Sequence, residues 1–337
     1  MKQLADPRFL NWIDRAAVVG LWEVVKSYGY FRKQFREVLA EIHGGKPDAV
    51  VLIDYPGFNL RLARELRRQP SARKIIYYIS PQVWAWNRGR ITQMARSLDL
   101  MLCIFPFEAE LYNKSGLRTQ FVGHPMIQNL GAHKIDIKRD PNLIGLFPGS
   151  RRREIRKIFP LLLKTAAEIM KHEPNTKFEI AAASPALAEE MQRMLTSSST
   201  KDSFQLVTGE AALTMQRAFV GIVASGSATL EAAFFRMPFV LVYKVSWLTY
   251  LAARMVVKVK FLGMPNVLAG REIVPEFIQG GADPRSIAKA VLELRADPAA
   301  RAGMVSEFET IIAGLGQGSA SATAAKAIAE EIAVRST

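Results

Sequence analysis

The sequence predicts an α/β protein built as two Rossmann-like domains facing a cleft. Three observations carry this. Short apolar runs alternate with helical stretches, which marks parallel strands covered on both faces by helices. The alternation is interrupted by a polar stretch broken by Gly and Pro, Gly123 to Pro141, and restarts at Leu143. The length of 337 residues suits two domains of ordinary size. The expected division is 1–140 for a first domain and linker, 141–282 for a second domain, and 283–337 for helices packing back across both.

Residues 1–43 read as helical, with Trp22, Val25, Tyr28 and Phe35 on an apolar face. Ala49–Ile53 is a buried strand ending at Asp54, and Pro56-Gly57 turns the chain into a helix through Arg61 to Arg68. Lys74–Ile79 is a second strand, closed by Ser80-Pro81. Trp84 to Ser97 reads as one helix, Leu100–Phe105 as a third strand, and Thr119–Val122 as a short fourth after a helix from Glu108. In the second half, strands are expected at Leu143–Phe147, Lys177–Ala182, Phe204–Val207, Val220–Ala224 and Phe239–Tyr243. After Asp283 the pattern is helical to the end. A Rossmann-like domain normally opens on a strand and a Gly-rich turn, and no such unit is evident before Ala49.

Apolar residues make up 49% of the chain, enough for real cores and against disorder. The net charge of +14 suggests anionic partners: nucleic acid, a membrane surface or phosphorylated substrates. The single cysteine, Cys103, can form no internal disulfide, which fits a reducing cytosol. No signal peptide is expected, since Met1 to Asp14 carries no long apolar core. The most hydrophobic region, Phe234 to Leu262, carries Arg236, Lys244, Arg254, Lys258 and Lys260 and is a poor transmembrane helix.

The stretch Leu143 to Arg153, LIGLFPGSRRR, joins a strand, a Gly turn and a helix start. The first N–H groups of a helix are unpaired and partly positive, so Gly149, Ser150 and Arg151 could hold a phosphate. The same residues also suit an ordinary strand–helix turn with solvated arginines. Ser225-Gly226-Ser227, with Thr229 and Glu231 just beyond, repeats the design after the strand Val220–Ala224. Small residues there admit a ligand close to the backbone, and Glu231 could accept hydrogen bonds from a ribose diol; a capped helix is the plainer reading. Asn266 could read a base or a phosphate. Asp54, at the carboxyl end of a strand, could act as a general base or cap the following helix. Ser80 to Arg90, SPQVWAWNRGR, places Trp84 and Trp86 on different faces, one inward and one toward a cleft or interface.

Other chemistries find little support. The sequence has no Walker-A loop, no G-x-S-x-G elbow, no H-E-x-x-H and no C-x-x-C. The four histidines are scattered, so a structural zinc is not expected. No Asp-x-Asp is present to hold a metal–diphosphate, and the basic residues form no recognisable nucleic-acid module.

With these segments assembled, the chain resembles the lipid-A-disaccharide synthases, glycosyltransferases of the GT-B fold. AAVVGLWEVV, PDAVVLIDYPGFN, YYISPQVWAW, FPFEAELY, FVGHPM, LFPGSR, ASGSATLEAAF and MPNVLAGRE run in the family's order and span most of the chain. The resemblance implies that UDP-2,3-diacylglucosamine donates its sugar to 2,3-diacylglucosamine 1-phosphate (lipid X), giving the β-1,6-linked lipid A disaccharide 1-phosphate and UDP. It places Asp54 at the family's proposed base. It places Gly149, Ser150, Arg151, Ser225, Gly226, Ser227, Thr229, Glu231 and Asn266 on the UDP side, and Ser80, Trp84 and Trp86 on the acceptor side. It implies no metal, no cofactor and no nucleic acid. It further implies a peripheral position on the cytoplasmic face of the inner membrane, and a homodimer that the C-terminal helices could form by exchange. Family members begin with a strand and a Gly-Glu-x-Ser-Gly-Asp turn that this sequence lacks, so the first domain is expected to be incomplete at its N-terminus. Two alternatives stand beside this reading: a GT-B transferase with another acceptor, and a paralogue that binds nucleotide or membrane without turnover.

Overall fold

The computed structural model describes residues 28–69, 73–195, 201–245 and 259–334. The helical expectation for residues 1–27, including Trp22 and Val25, lies outside them, as does 246–258 of the hydrophobic region.

The first sheet is all parallel. After helix α1 (Tyr28–Gly45) come β1 (Ala49–Ile53), α2 (Pro56–Arg68), β2 (Lys74–Tyr78), α3 (Val83–Trp86), α4 (Arg90–Ser97), β3 (Leu100–Cys103), α5 (Pro106–Lys114) and β4 (Thr119–Phe121). Its strands lie in chain order, β1-β2-β3-β4. The helix expected over Trp84 to Ser97 is two pieces. The Asn87 N–H turns back to the Val83 carbonyl at 2.7 Å, and Asn87-Arg88-Gly89 restarts the chain as α4. Among the described residues β1 is an edge strand, and Val51 and Ile53 on it and Tyr55 just beyond are exposed rather than buried.

The polar stretch from Gly123 contains a helix, α6 (Pro125–Gly131), which a continuous linker reading misses. Pro125 sits at its start, where a missing N–H costs nothing, and the His124 ring accepts from the Met126 N–H. Burial lowers the His124 pKa to about 4, so the ring is a neutral acceptor.

The second sheet is larger. It contains β5 (Asp140–Phe147), β6 (Lys177–Ala182), β7 (Phe204–Thr208), β8 (Ala218–Ala224), β9 (Phe239–Tyr243) and β10 (Glu276–Ile278). Helices α7 (Arg152–His172), α8 (Pro185–Leu195), α9 (Ala211–Arg217), α10 (Ala228–Phe234) and α11 (Met264–Ala269) connect them, and α12 (Pro284–Ala296), α13 (Pro298–Gly314) and α14 (Ala320–Ala333) follow. The spatial order is β10-β9-β8-β5-β6-β7, all parallel. β5 from Leu143 onward, β8 and β9 are buried on both faces, which is why each reads as a continuous apolar run. β10 was not legible, because its three residues mix Glu276 with Phe277 and Ile278.

The last helix crosses back. Ala324 and Ala327 of α14 pack with Ile76, Leu100, Leu102 and Val122 on the first sheet. Glu331, only 2% exposed, binds Lys74 at 2.9 Å and Arg118 at 2.6 Å. The two crossings of the chain touch. The His124 N–H donates to the Leu315 carbonyl at 2.9 Å, and a Cβ added at Gly316 (φ 92°) would lie 3.1 Å from the Gly123 Cα.

The Glu331 contact yields a prediction. Glu331→Ala strips the partner from two cations and should lower the free energy of unfolding by about 1–3 kcal/mol. Urea denaturation reads this directly, and an unchanged midpoint would mean that the contact contributes nothing to docking α14.

Candidate active site

In the second sheet the strand order reverses between β5 and β8, and in open parallel sheets ligands sit outside the strand carboxyl ends at such a point. The turns after those two strands are Gly149-Ser150-Arg151 and Ser225-Gly226-Ser227, so the fold brings together the two motifs that sequence places 74 positions apart (225 minus 151). Gly149 has φ 110°, which favours glycine, and an added Cβ would meet the Glu154 carboxylate at 2.6 Å. That carboxylate is the turn's present anion. It accepts the N–H groups of Ser150 (3.2 Å) and Arg151 (3.3 Å) and the Arg151 guanidinium (3.0 Å). The turn thus does bind an oxyanion, and the anion is its own Glu154. Glu154 stands three residues after Arg151, the capping-box spacing, a signal that was present in the sequence.

Gly226 and Ser227 are exposed, and Ser225 and Glu231 are half-buried. Thr229 is fully buried, and its hydroxyl donates to the Gly226 carbonyl at 2.8 Å. Asn266 is likewise 0% exposed. Its amide donates to the Val274 carbonyl (2.8 Å) and the Glu276 carboxylate (2.9 Å) and accepts from the N–H groups of Ile273 (2.8 Å) and Val274 (2.9 Å). All its hydrogen-bonding capacity is therefore used inside the fold. In this geometry Thr229 and Asn266 shape the loops rather than face a ligand. Glu276, through Asn266 and the N–H groups of Leu262 and Gly263, ties α11 to β10.

In the first sheet, Asp54 and Tyr55 follow β1 with φ of 46° and 48°, a left-handed pair without glycine. Such residues cost free energy and persist only where their surroundings hold them. The Tyr77 hydroxyl donates to the Asp54 carbonyl at 2.6 Å. The Asn59 amide donates to the carbonyls of Asp54 (2.7 Å) and Ile53 (3.0 Å), and the Asp54 N–H donates to Tyr78 at 2.9 Å. Burial, and then the Asp54 charge, push the Tyr77 hydroxyl well above its usual range, which keeps it a donor. The Asp54 carboxylate itself makes no hydrogen bond or ion pair among the described residues. The N-cap of α2 is Tyr55, without a side-chain cap bond, so Asp54 does not cap that helix. Asp54 is exposed, at the end of a strand that lies at the sheet edge among the described residues.

The segment after β2 is held by a carboxyl group that sequence reasoning missed. Glu108, 1% exposed on α5, accepts from the Ser80 hydroxyl at 2.5 Å and from the Trp84 indole N–H at 2.8 Å. Trp84 is buried and packs edge-on against Phe107 at 5.0 Å. Trp86 is half-buried, with the Arg90 guanidinium 4.6 Å over its ring. Both tryptophans pack on one apolar cluster, Trp84 within it and Trp86 at its margin. Nothing in FPFEAEL marks Glu108 as buried, since its burial comes from tertiary packing with Ser80 and Trp84.

An apolar seam joins the halves. Phe105, just past β3, clusters with Leu230 of α10, Ile311 of α13 and Leu315, and with Met264 and Leu268 of α11. Val267 of α11 packs against the cluster that holds Val83 and Trp84. The seam therefore sets the segment after β3 against α10, which follows the Ser225–Ser227 turn, and against α11 and α13.

Two facing parallel sheets with loops at a switch point define the GT-B architecture of nucleotide-sugar transferases and epimerases. In solved structures the fold matches a S. aureus MnaA–UDP co-structure (TM-score 0.56, 15% identity, 86% of this chain and 76% of that one). It also matches UDP-GlcNAc 2-epimerase from Neisseria meningitidis bound to UDP-GlcNAc (TM-score 0.56, 13% identity, 88% and 82%). Residues 3–331 match the family described as lipid-A-disaccharide synthetase. Lipid-A-disaccharide synthase 1 of Legionella pneumophila (strain Paris) is 35% identical over 312 residues, 90% of this chain and 80% of its own. Lipid-A-disaccharide synthase of Geobacter sulfurreducens is 37% identical over 298 residues, 84% and 75%. The chain belongs to the lipid-A-disaccharide synthetase family.

Burial raises the Glu108 pKa to about 7, against an unfolded value near 4.3. Between those values the native state holds a proton that the unfolded chain has released, so stability falls as pH rises through this window. Glu108→Gln should flatten that fall. Urea midpoints from pH 4.5 to 8 check it, and parallel curves for both proteins would show that Glu108 does not titrate in the native state.

Proposed function

We propose that this chain is an inverting glycosyltransferase that condenses UDP-2,3-diacylglucosamine with 2,3-diacylglucosamine 1-phosphate, releasing UDP and the β-1,6-linked disaccharide 1-phosphate. The observation that carries the reading is Asp54: a carboxylate at a strand end without a partner among the described residues, its backbone pinned by Tyr77 and Asn59, in a chain of this family. Asp54 takes the proton of the acceptor 6-hydroxyl. That oxygen attacks C1 of the donor sugar, the bond from C1 to the diphosphate oxygen breaks, and the electron pair leaves on UDP.

The charge that develops on the leaving diphosphate is met by Arg151 and the N–H groups of the Gly149 and Ser227 turns. Glu154, which now holds the first turn, gives way to the diphosphate. Glu231, one turn into α10, takes the ribose hydroxyls. Asn266 and Thr229 act on this site by fixing its loops. Ser80, Trp84 and Trp86 form the acceptor side.

A site on the cytoplasmic face of a membrane suits the net charge of +14 and the substrates' acyl chains. No helix among the described residues is long and apolar enough to cross a membrane. A homodimer by exchange would remake between two copies the contact that α14 makes with its own first sheet.

Two variants test this reading. Asp54→Asn should abolish disaccharide formation from the two acylated substrates while UDP binding persists, and equal turnover would remove Asp54 from the mechanism. Arg151→Ala should weaken UDP binding by about tenfold to a hundredfold, as loss of a charge-assisted contact does. Titration calorimetry with UDP measures it, and unchanged affinity would place the diphosphate elsewhere.

A further inference from the structure

A small cavity of about 120 Å³ lies between α2 and α4, beside the proposed base. Leu60 and Met94 give it apolar lining, and Arg61 and Arg64 of α2 and Arg90 and Gln93 of α4 its polar lining. No carboxylate lines it. Its volume is several times what one water requires and suits a compact group rather than a sugar ring or an acyl chain.

The arginines of α2 divide in two. Arg67 and Arg68, which do not line the cavity, are paired: Arg67 with Asp99 at 2.6 Å and Arg68 with Glu65 at 2.8 Å. Arg61 and Arg64, which do, meet no carboxylate among the described residues. Arg61 makes no hydrogen bond there, and Arg64 makes one only to the Leu60 carbonyl of its own helix, at 3.3 Å. Arg90, from the other wall, lies over Trp86 and also meets no acid. Like charges three residues apart on a helix repel, and a third guanidinium adds to that cost. A cluster left uncompensated around an open cavity has the charge and the donor geometry for a planar-forked contact with an oxyanion.

The wall of this cavity begins at Pro56, two residues after Asp54. At about 3.8 Å between successive Cα atoms, it starts within about 8 Å of the Asp54 Cα. We propose that Arg61, Arg64 and Arg90 form a phosphate-monoester subsite that receives the anionic end of the sugar acceptor while Asp54 acts on the hydroxyl at its other end. The assignment rests on the reading of Asp54 as the base of a sugar transfer. The same chemistry would also recognise the phosphate of an anionic phospholipid headgroup, so the test separates the two sources.

The full chain and an Arg61→Gln/Arg64→Gln variant are assayed with the phosphorylated acceptor and with its dephosphorylated analogue. The wild type should prefer the phosphorylated acceptor, and the variant should lose at least about tenfold of that preference through acceptor KM, with donor KM unchanged. Arg61→Lys/Arg64→Lys, which keeps charge but loses the fork, should fall between them. Equal losses on both acceptors would mean a structural role and overturn the subsite. Vesicles of phosphatidylcholine with and without phosphatidylglycerol form the second arm. Binding to the anionic vesicles should survive in the Gln variant. If it is lost while acceptor preference stays intact, the cavity takes a lipid headgroup and the proposal fails. Titration with glucosamine 1-phosphate needs no turnover. Heat of binding in the wild type and none in the Gln variant supports the subsite even if transfer is absent, in which case only the reaction reading falls. No binding to the wild type overturns the subsite.

Discussion

The apolar seam around Phe105, Leu230, Ile311 and Leu315 is the constraint on which the candidate site depends. Each parallel sheet by itself offers loops at its strand ends and nothing more. Burying those four side chains removes apolar surface from water, worth roughly 1.5–3 kcal/mol for each large side chain fully buried. It fixes which loops face which. Phe105 follows a strand end of the first sheet and Leu230 follows the Ser225–Ser227 turn of the second, so the contact that joins the halves also brings these strand ends toward each other.

The loops at that junction are held by polar groups that do not themselves face a ligand. Tyr77 and Asn59 pin the left-handed Asp54. Glu108 ties Ser80 to Trp84, Asn266 and Glu276 close the α11 loop, and Glu154 fills the Gly149 turn. Each satisfies a donor or a carbonyl acceptor that would otherwise lack a partner, and where such a group is buried an unmade hydrogen bond costs about 1–3 kcal/mol. In the proposed reaction the groups that do chemistry are distinct from those that aim them: Asp54 and Arg151 are exposed, and the supporting groups are buried or half-buried.

Much of this was legible in the chain. Ala49–Ile53, Lys177–Ala182 and Phe239–Tyr243 match their strands residue for residue, because apolar runs bounded by turn residues leave little choice of state. The turns after β5 and β8 were legible too, since Pro148-Gly149 and Ser225-Gly226 break such runs abruptly. What was not legible depended on partners distant in sequence. The break after Trp86 needed the Asn87 turn, and β10 needed β9 beside it. The commitments of Asn266 and Glu108 to internal partners needed the folded loops around them. Residue type placed Asn266 in a binding motif, and the fold gives its amide four internal partners.

The return of α14 to the first sheet has a mechanical consequence. Among the described residues two passages of the chain between the halves, one beyond Gly123 and one around Gly316, lie in contact through His124 and Leu315. A single tether would let the halves swivel. Two tethers side by side act as a hinge pin, which leaves bending about one line as the easy motion and resists twist across it. A backbone cut within residues 132–139 would sever one passage only. The halves would stay docked, because the second passage and the α14 contacts with the first sheet remain.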